Sequence, residues 1–202
     1  MSNYFEVTAK LWRMFLLSAV YIICCIPIFT IGAATTAYCY MLYKFKENRE
    51  GRMLENYFDS FKREFIQSTK VWGIMIVAIV VLYFDSLFSS NLVMQSNGKL
   101  GMLYPFYYLL LFLVIAVLIY VFAYMARFND GVKVALKNSF LMSTRHLGYT
   151  ITIMLLDYGI IKVGLDYFLP VTIIAPLLIG WVNTSMLNVV FKRYMMEEQN
   201  EK

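Results

Sequence analysis

Charge is scarce in this sequence. Only 15% of its 202 residues are Asp, Glu, Lys or Arg, and 60% are hydrophobic. A soluble domain of that length would carry about 25% charge and about 45–50% apolar residues. Cysteine is scarce too. Cys24, Cys25 and Cys39 all lie in apolar runs, with no CxxC or Cys/His spacing, so they read as small buried hydrophobes rather than metal or redox groups. The single histidine, His146, has no partner in sequence and falls at a span's edge, where an interface residue is expected rather than a ligand or proton relay. HExxH, GxSxG and a carboxylate pair beside a histidine are all missing, so the chain is not expected to be an enzyme and needs no cofactor or metal. Nucleic-acid binding is not expected either. The net charge of +5 is what a positive-inside bias produces, and the basic stretch is interleaved with acids.

What fills the sequence instead is long uncharged runs. Residues 14–43, 100–126 and 167–191 contain no charge, and 71–90 contain only Asp85. Runs of about 18 or more such residues mark membrane spans. Lys10 and Arg13 ahead of an apolar run, with Gly32-Ala33-Ala34 beyond, superficially resemble a signal peptide. The run continues to Tyr43, so an uncleaved first span is expected. Trp12 beside Arg13 marks its interface end.

Residues 14–43 pose the topology problem, because thirty helical residues reach about 45 Å, too long for one ~30 Å crossing and short for two. Pro27 removes a backbone donor and disfavours helix at Ile26, and Thr30 stands where an N-cap belongs. Two short helices, about 9–26 and 31–46, are predicted; one kinked span is the alternative. Gly32 to Ala37 suits close helix approach, so Pro27, Thr30, Gly32 and Thr35 form a candidate helix-break and packing motif.

Residues 44–69 hold the densest charge, and Leu54, Tyr57, Phe58, Phe61 and Phe65 recur at helical spacing. This is an amphipathic helix for the interface, or one whose apolar face packs on the ends of the bundle. A span is predicted over 70–88, then an outer loop over 89–102 with Asn97-Gly98 as its turn, then a return at 103–126. Tyr104, Tyr107 and Tyr108 at one end, and Tyr120 and Tyr124 near the other, read as aromatic belts. A second amphipathic stretch follows at 127–146, turning at Asn129-Asp130-Gly131, with Val132, Leu136 and Phe140 on one face. The span at 147–169 carries Asp157 near mid-membrane, while Lys162 and Asp166 can pair. Pro170 ends that helix; Thr172 and Pro176 open the last span, which Lys192 and Arg193 stop.

The two amphipathic stretches are related. Residues 61–73 and 136–148 align at a constant offset of 75: Lys62 with Lys137, Phe65 with Phe140, Ser68-Thr69 with Ser143-Thr144, Gly73 with Gly148. Both are rich in Lys and Arg while the loop at 89–102 has only Lys99, so both elbows and the C-terminus are expected in the cytoplasm. The expected fold is an all-α polytopic membrane bundle of six, or five, transmembrane helices. It is one domain over 1–202, with two cytoplasmic elbow helices in a parallel repeat (halves about 31–90 and 103–166).

The segment from Ile26 to Ala37, followed by an aromatic-rich helix and a basic elbow, resembles the YesL-like family of bacterial membrane proteins, domain of unknown function 624. Phe61-Lys62-Arg63-Glu64-Phe65 with Thr69 and Trp72, and the closing Phe191-Lys192-Arg193-Tyr194, resemble it as well. The resemblance implies a cytoplasmic-membrane protein beside ABC-type carbohydrate uptake systems. It implies no catalytic residues.

Two functions are expected from different classes. One is an accessory or scaffold protein that docks a sugar permease, or a second copy of itself, through Tyr57, Phe58, Phe61, Phe65, Leu136 and Phe140. The other is a small transporter or channel subunit with an intramembrane polar site at Asp157, Asn183, Thr184 and Asn188, since a carboxylate in hydrocarbon is costly.

Overall fold

A computed structural model describes residues 2–95, 103–167 and 169–200. Among these the chain is entirely helical: α1 (Ser2–Cys24), a 3-10 turn (Ile28–Thr30), α2 (Ile31–Lys46), α3 (Met53–Gln95), α4 (Leu103–Met125), α5 (Val132–Arg145), α6 (Leu147–Tyr167) and α7 (Leu169–Asn200). Four stretches are long and apolar enough to cross a membrane: Met53–Leu87, Phe106–Met125, Leu147–Asp166 and Ile174–Lys192.

The break between α1 and α2 falls at Pro27, whose backbone is extended (φ −76°, ψ 122°). The chain reverses there. Lys10 bonds Asn48 at 2.7 Å, Ser18 meets Tyr38 at 2.9 Å and Tyr21 meets Thr35 at 3.3 Å. As α1 is ascended its partners on α2 descend, so the two helices are antiparallel, and one kinked span does not describe them. Thr30 acts differently from its expected N-cap role. Its own backbone is already helical (φ −88°, ψ −11°), because the 3-10 turn runs straight into α2. Its hydroxyl lies 2.6 Å from the carbonyls of both Cys24, at the end of α1, and Pro27, which also accepts the Thr30 backbone N–H.

Helix α2 is the centre of the bundle and touches α1, α3, α4 and α7. Gly32, Ala33, Ala34, Thr36, Ala37, Tyr38, Met41, Leu42, Tyr43 and Phe45 are all buried, which leaves it almost no outer face. Two glycines set the approach distances. A Cβ on Gly32 would lie 2.6 Å from the Ser68 carbonyl oxygen and 2.8 Å from Trp72 Cβ on α3. A Cβ on Gly180 of α7 would lie 2.5 Å from the Tyr38 ring. Polar contacts lock the α2–α3 seam: Thr36 and Ser68 hydroxyls meet at 2.9 Å, and Trp72 Nε1 donates to the Ile28 carbonyl at 2.7 Å.

Several sequence expectations change. The amphipathic stretch and the span after it are one helix, α3, because nothing between Met53 and Gln95 breaks it: the segment has no proline, and its one glycine, Gly73, is helical. At about 1.5 Å per residue it is roughly 64 Å long. Ser89–Gln95 are therefore helical rather than loop, while the Asn97-Gly98 turn lies outside the described residues. The second copy does break. His146 leaves helical geometry (φ −114°, ψ 47°), and the Thr150 hydroxyl donates back across the break to the Ser143 carbonyl at 2.9 Å.

Tyr120 and Tyr124 are buried in the core rather than in a belt. Tyr120 meets Thr150 at 3.2 Å, and Tyr124 donates to Asp130 and accepts from Asn138. Helix α6 ends at Tyr167, and Pro170 falls in the first turn of α7, where a missing N–H costs nothing. Helix α7 runs on past Lys192 and Arg193 to Asn200, and Pro176 lies inside it. Lys162 and Asp166 are both exposed and form no ion pair among the described residues.

The Gly32 contact gives a direct test. Its obstacle is a backbone carbonyl that cannot rotate away, so Gly32→Ala should cost about 1–3 kcal/mol, the usual range for overpacking. Gly73→Ala meets nothing within 4 Å and should be neutral or stabilising by up to about 1 kcal/mol. Thermal unfolding of the two detergent-purified variants checks this; equal midpoints would show that the seam is looser than described.

Candidate functional site

The residues that sequence grouped as one intramembrane polar site divide in two. Successive residues on a helix are about 100° apart, so Thr184 and Asn188 share a face of α7 while Asn183 points elsewhere. Asn183 faces α6 and donates to Asp157 Oδ2 at 2.9 Å. The other carboxylate oxygen, Asp157 Oδ1, and the amide oxygen Asn183 Oδ1 are buried with no hydrogen-bond partner.

Both residues line a half-open cavity of about 360 Å³ whose lining comes from six helices. Tyr21 of α1, Thr35 and Tyr38 of α2, Trp72 of α3 and Phe122 of α4 complete its wall. The rings come in pairs, Tyr21 stacked on Tyr38 at 4.6 Å and Trp72 against Phe122 at 6.2 Å. Thr35 is satisfied by its own helix, donating to Ile31 at 2.7 Å, and Tyr38 donates to the Pro176 carbonyl at 3.1 Å. Pro27 and Thr30 stay at the break, and Gly32 faces α3, so of the predicted packing motif only Thr35 reaches the cavity.

Thr184 and Asn188 belong to a cationic clasp at the other end of α2. The Lys46 ammonium donates to Thr184 Oγ1 at 2.6 Å, Ser185 Oγ at 2.7 Å and the Trp181 carbonyl at 3.0 Å, and lies over the Trp181 ring. Arg127, at the end of α4, donates to Asn188 at 2.7 Å, approaches Glu47 at 3.5 Å and covers the Tyr43 ring. Two cations thereby tie α2 and α4 to α7. Lys46 and Arg127 are readable in sequence only as edge charges; nothing local assigns them partners more than sixty residues away.

The predicted docking residues are mostly used internally. Tyr57 is fully buried, and Phe61 packs beside it. Leu136 packs on the main core, and Phe65 is half-buried against Phe61. Phe58 and Phe140 remain exposed, at 42% and 48%. The inward face of α3 also carries Ser60, Glu64 and Ser68 beside Tyr57, Val71 and Met75, with Glu64 buried beside exposed Arg63 at 2.8 Å. His146 is half-buried, with Tyr194 Oη 3.4 Å from its Nε2. Among the described residues no three His, Cys, Asp or Glu side chains gather as a metal site.

The clasp predicts coupling. Lys46→Met and a Thr184→Val/Ser185→Ala double variant should each destabilise, and together they should cost less than their sum by about 0.5–3 kcal/mol. Strict additivity in denaturation of the purified protein would mean that the bonds are not formed.

Residues 10–86 match the family DUF624, described as a protein of unknown function. Over 167 residues the chain is 25% identical to the uncharacterized protein YteU of Bacillus subtilis (strain 168); the match covers 77% of this chain and 66% of YteU. No solved structure matches it significantly. The matched region runs from Lys10 on α1 through the Pro27 break, all of α2 and most of α3, so it takes in the antiparallel pair and the Gly32 seam. Over those residues the chain is similar to the DUF624 family, and the similarity to YteU extends over a longer stretch.

Proposed function

We propose that this protein is a multi-pass membrane subunit that works by docking on a larger membrane assembly. One observation carries the reading. Helix α5 has 14 residues and three basic side chains, which is too short and polar to cross a membrane, yet it leaves Val134, Phe140 and Leu141 exposed. The first turns of α3 do the same with Leu54 and Phe58 amid Glu55, Asp59 and Lys62. Exposed apolar groups set among charges call for the lipid interface or a protein surface.

In this reading the partner is a sugar permease of the ABC type or a second copy, and the role is accessory to carbohydrate uptake, as the family resemblance implies. All six of α1, α2, α3, α4, α6 and α7 cross the cytoplasmic membrane, α1 and α2 as the shortened pair. The antiparallel contacts of α1 with α2 support the even count, which puts the N-terminus, both elbows and the C-terminus on the cytoplasmic side. The parallel repeat is supported by burial at the 75-residue offset: Ser60 and Ala135, Glu64 and Ser139, Ser68 and Ser143, Met75 and Thr150 are each buried in both copies.

Recovery of the tagged protein from its native membrane, with partners identified by mass spectrometry, tests this. Phe58→Ala with Phe140→Ala should reduce partner recovery severalfold and leave unfolding unchanged. Tyr57→Ala, in the core, should instead cost about 3–5 kcal/mol of stability. Undiminished recovery with the exposed pair removed counts against the docking reading.

A second reading, a small transporter or channel subunit, is favoured by the cavity at Asp157. Reconstituted in liposomes, the protein should then pass a solute or ion, and Asp157→Asn should slow that flux. Flux that is absent, or indifferent to the substitution, rejects it.

A further inference from the structure

We propose that the cavity between the six helices binds a small primary ammonium ion, with Asp157 supplying the counter-charge and Asp157 Oδ1 and Asn183 Oδ1 accepting its N–H groups. The inference rests on the second reading only in taking the cavity as a ligand site; it does not require transport.

Three features of the cavity select this chemistry. The first is the kind of group that is missing. Asn183 already gives an N–H to Asp157, and what remains unpartnered is two oxygen acceptors. The complementary ligand therefore brings donors. The second is charge. Asp157 is half-buried with its Oδ1 fully so, a carboxylate taken out of water is costly without a compensating cation, and among the described residues Asp157 enters no ion pair. Lys46, the nearest thing to an interior cation, spends its donors on Thr184, Ser185 and Trp181. A neutral donor such as a polyol would fill the hydrogen bonds and leave the charge unbalanced.

The third feature is size and surface. About 360 Å³ is many times the ~30 Å³ that a water molecule occupies in the liquid. Calcium and magnesium are held by six or more oxygens, which this wall does not assemble. The Tyr21–Tyr38 and Trp72–Phe122 pairs give an aromatic wall for a carbon body. A primary ammonium ion on a compact organic frame meets all three conditions.

Calorimetry on the full chain in nanodiscs, with empty nanodiscs subtracted, tests the proposal using benzylammonium, its neutral analogue benzyl alcohol, and sodium. Benzylammonium should bind saturably, and benzyl alcohol about tenfold or more weaker. Asp157→Asn, which can keep the bond to Asn183, should weaken benzylammonium by a similar factor. Asn183→Ala should weaken it less but measurably, and Asp166→Asn, an exposed carboxylate, should change nothing. Circular dichroism and gel filtration confirm folding of each variant.

Equal binding of the alcohol, or preference for sodium, overturns the ammonium assignment while keeping the cavity as a ligand site. Failure of folded wild-type protein to bind benzylammonium saturably, or Asp157→Asn binding at wild-type strength, overturns the proposal outright. Saturable binding through Asp157 with no flux in liposomes sustains the proposal and removes the transporter reading alone.

Discussion

The missing side chain of Gly32 lets two helix backbones meet. Inside a bilayer no hydrophobic force draws apolar helices together, since lipid tails are as apolar as leucine; close packing and interhelical hydrogen bonds must do it. Here α2 comes so near α3 that a single methyl group would overlap a carbonyl. That approach brings Thr36 to Ser68 and Trp72 to the Ile28 carbonyl. It also fixes the depth of α2 in the bundle. With α2 in place, Tyr38 reaches Ser18 and Pro176, Lys46 reaches Thr184, and Gly180 admits the Tyr38 ring from the opposite side. The cavity is the space left over when bulky rings at 21, 38, 72 and 122 are arranged around so slender a helix.

Polar groups are distributed accordingly. Serine and threonine hydroxyls inside the bundle turn mostly to their own helix, as Thr35, Thr36 and Thr184 do with carbonyls four residues back. That satisfies them cheaply and leaves them little to offer a ligand. The cations at the end of α2 find several acceptors each. Other buried groups stay unpartnered, among them the hydroxyls of Ser60, Thr69 and Ser139; Asp157 and Asn183 differ in satisfying one another by halves, and the halves left over both accept.

Much of this plan is legible in the sequence because backbone chemistry is local. Pro27 marks the break, Gly32 to Ala37 the close approach, Asn129 to Gly131 the turn before α5, and Asp157 the costly charge. The inward face of α3 is legible only in part from its aromatics: Tyr57 is buried and Phe61 packs beside it, while Phe58 is exposed. In water, apolarity marks the buried face; in a membrane protein both the lipid-facing and the protein-facing surfaces are apolar, and small or polar residues mark the interior. Ser60, Glu64 and Ser68 carry that signal, and a stripe read from Leu54, Tyr57, Phe58, Phe61 and Phe65 alone misses it. Tyr120 and Tyr124 mislead for the same reason. The division of Asn183 from Thr184 and Asn188 follows from the helical angle alone and was available in the sequence. Their partners, Asp157 excepted, were not, because those contacts join residues far apart in the chain.

The unbroken run of α3 has a mechanical meaning. The close approach at Gly32 meets it at Ser68 and Trp72, well inside the rod, which leaves an arm on each side of that contact. The arm from there to Gln95 is some 25 residues, or about 37 Å, and a tilt of about 10° carries its tip about 6 Å. The corresponding segment of the second half cannot do this, since the chain is jointed at His146. One half of the molecule thus carries a single unbroken rod from Leu54 and Phe58 to Gln95, and the other half carries a joint.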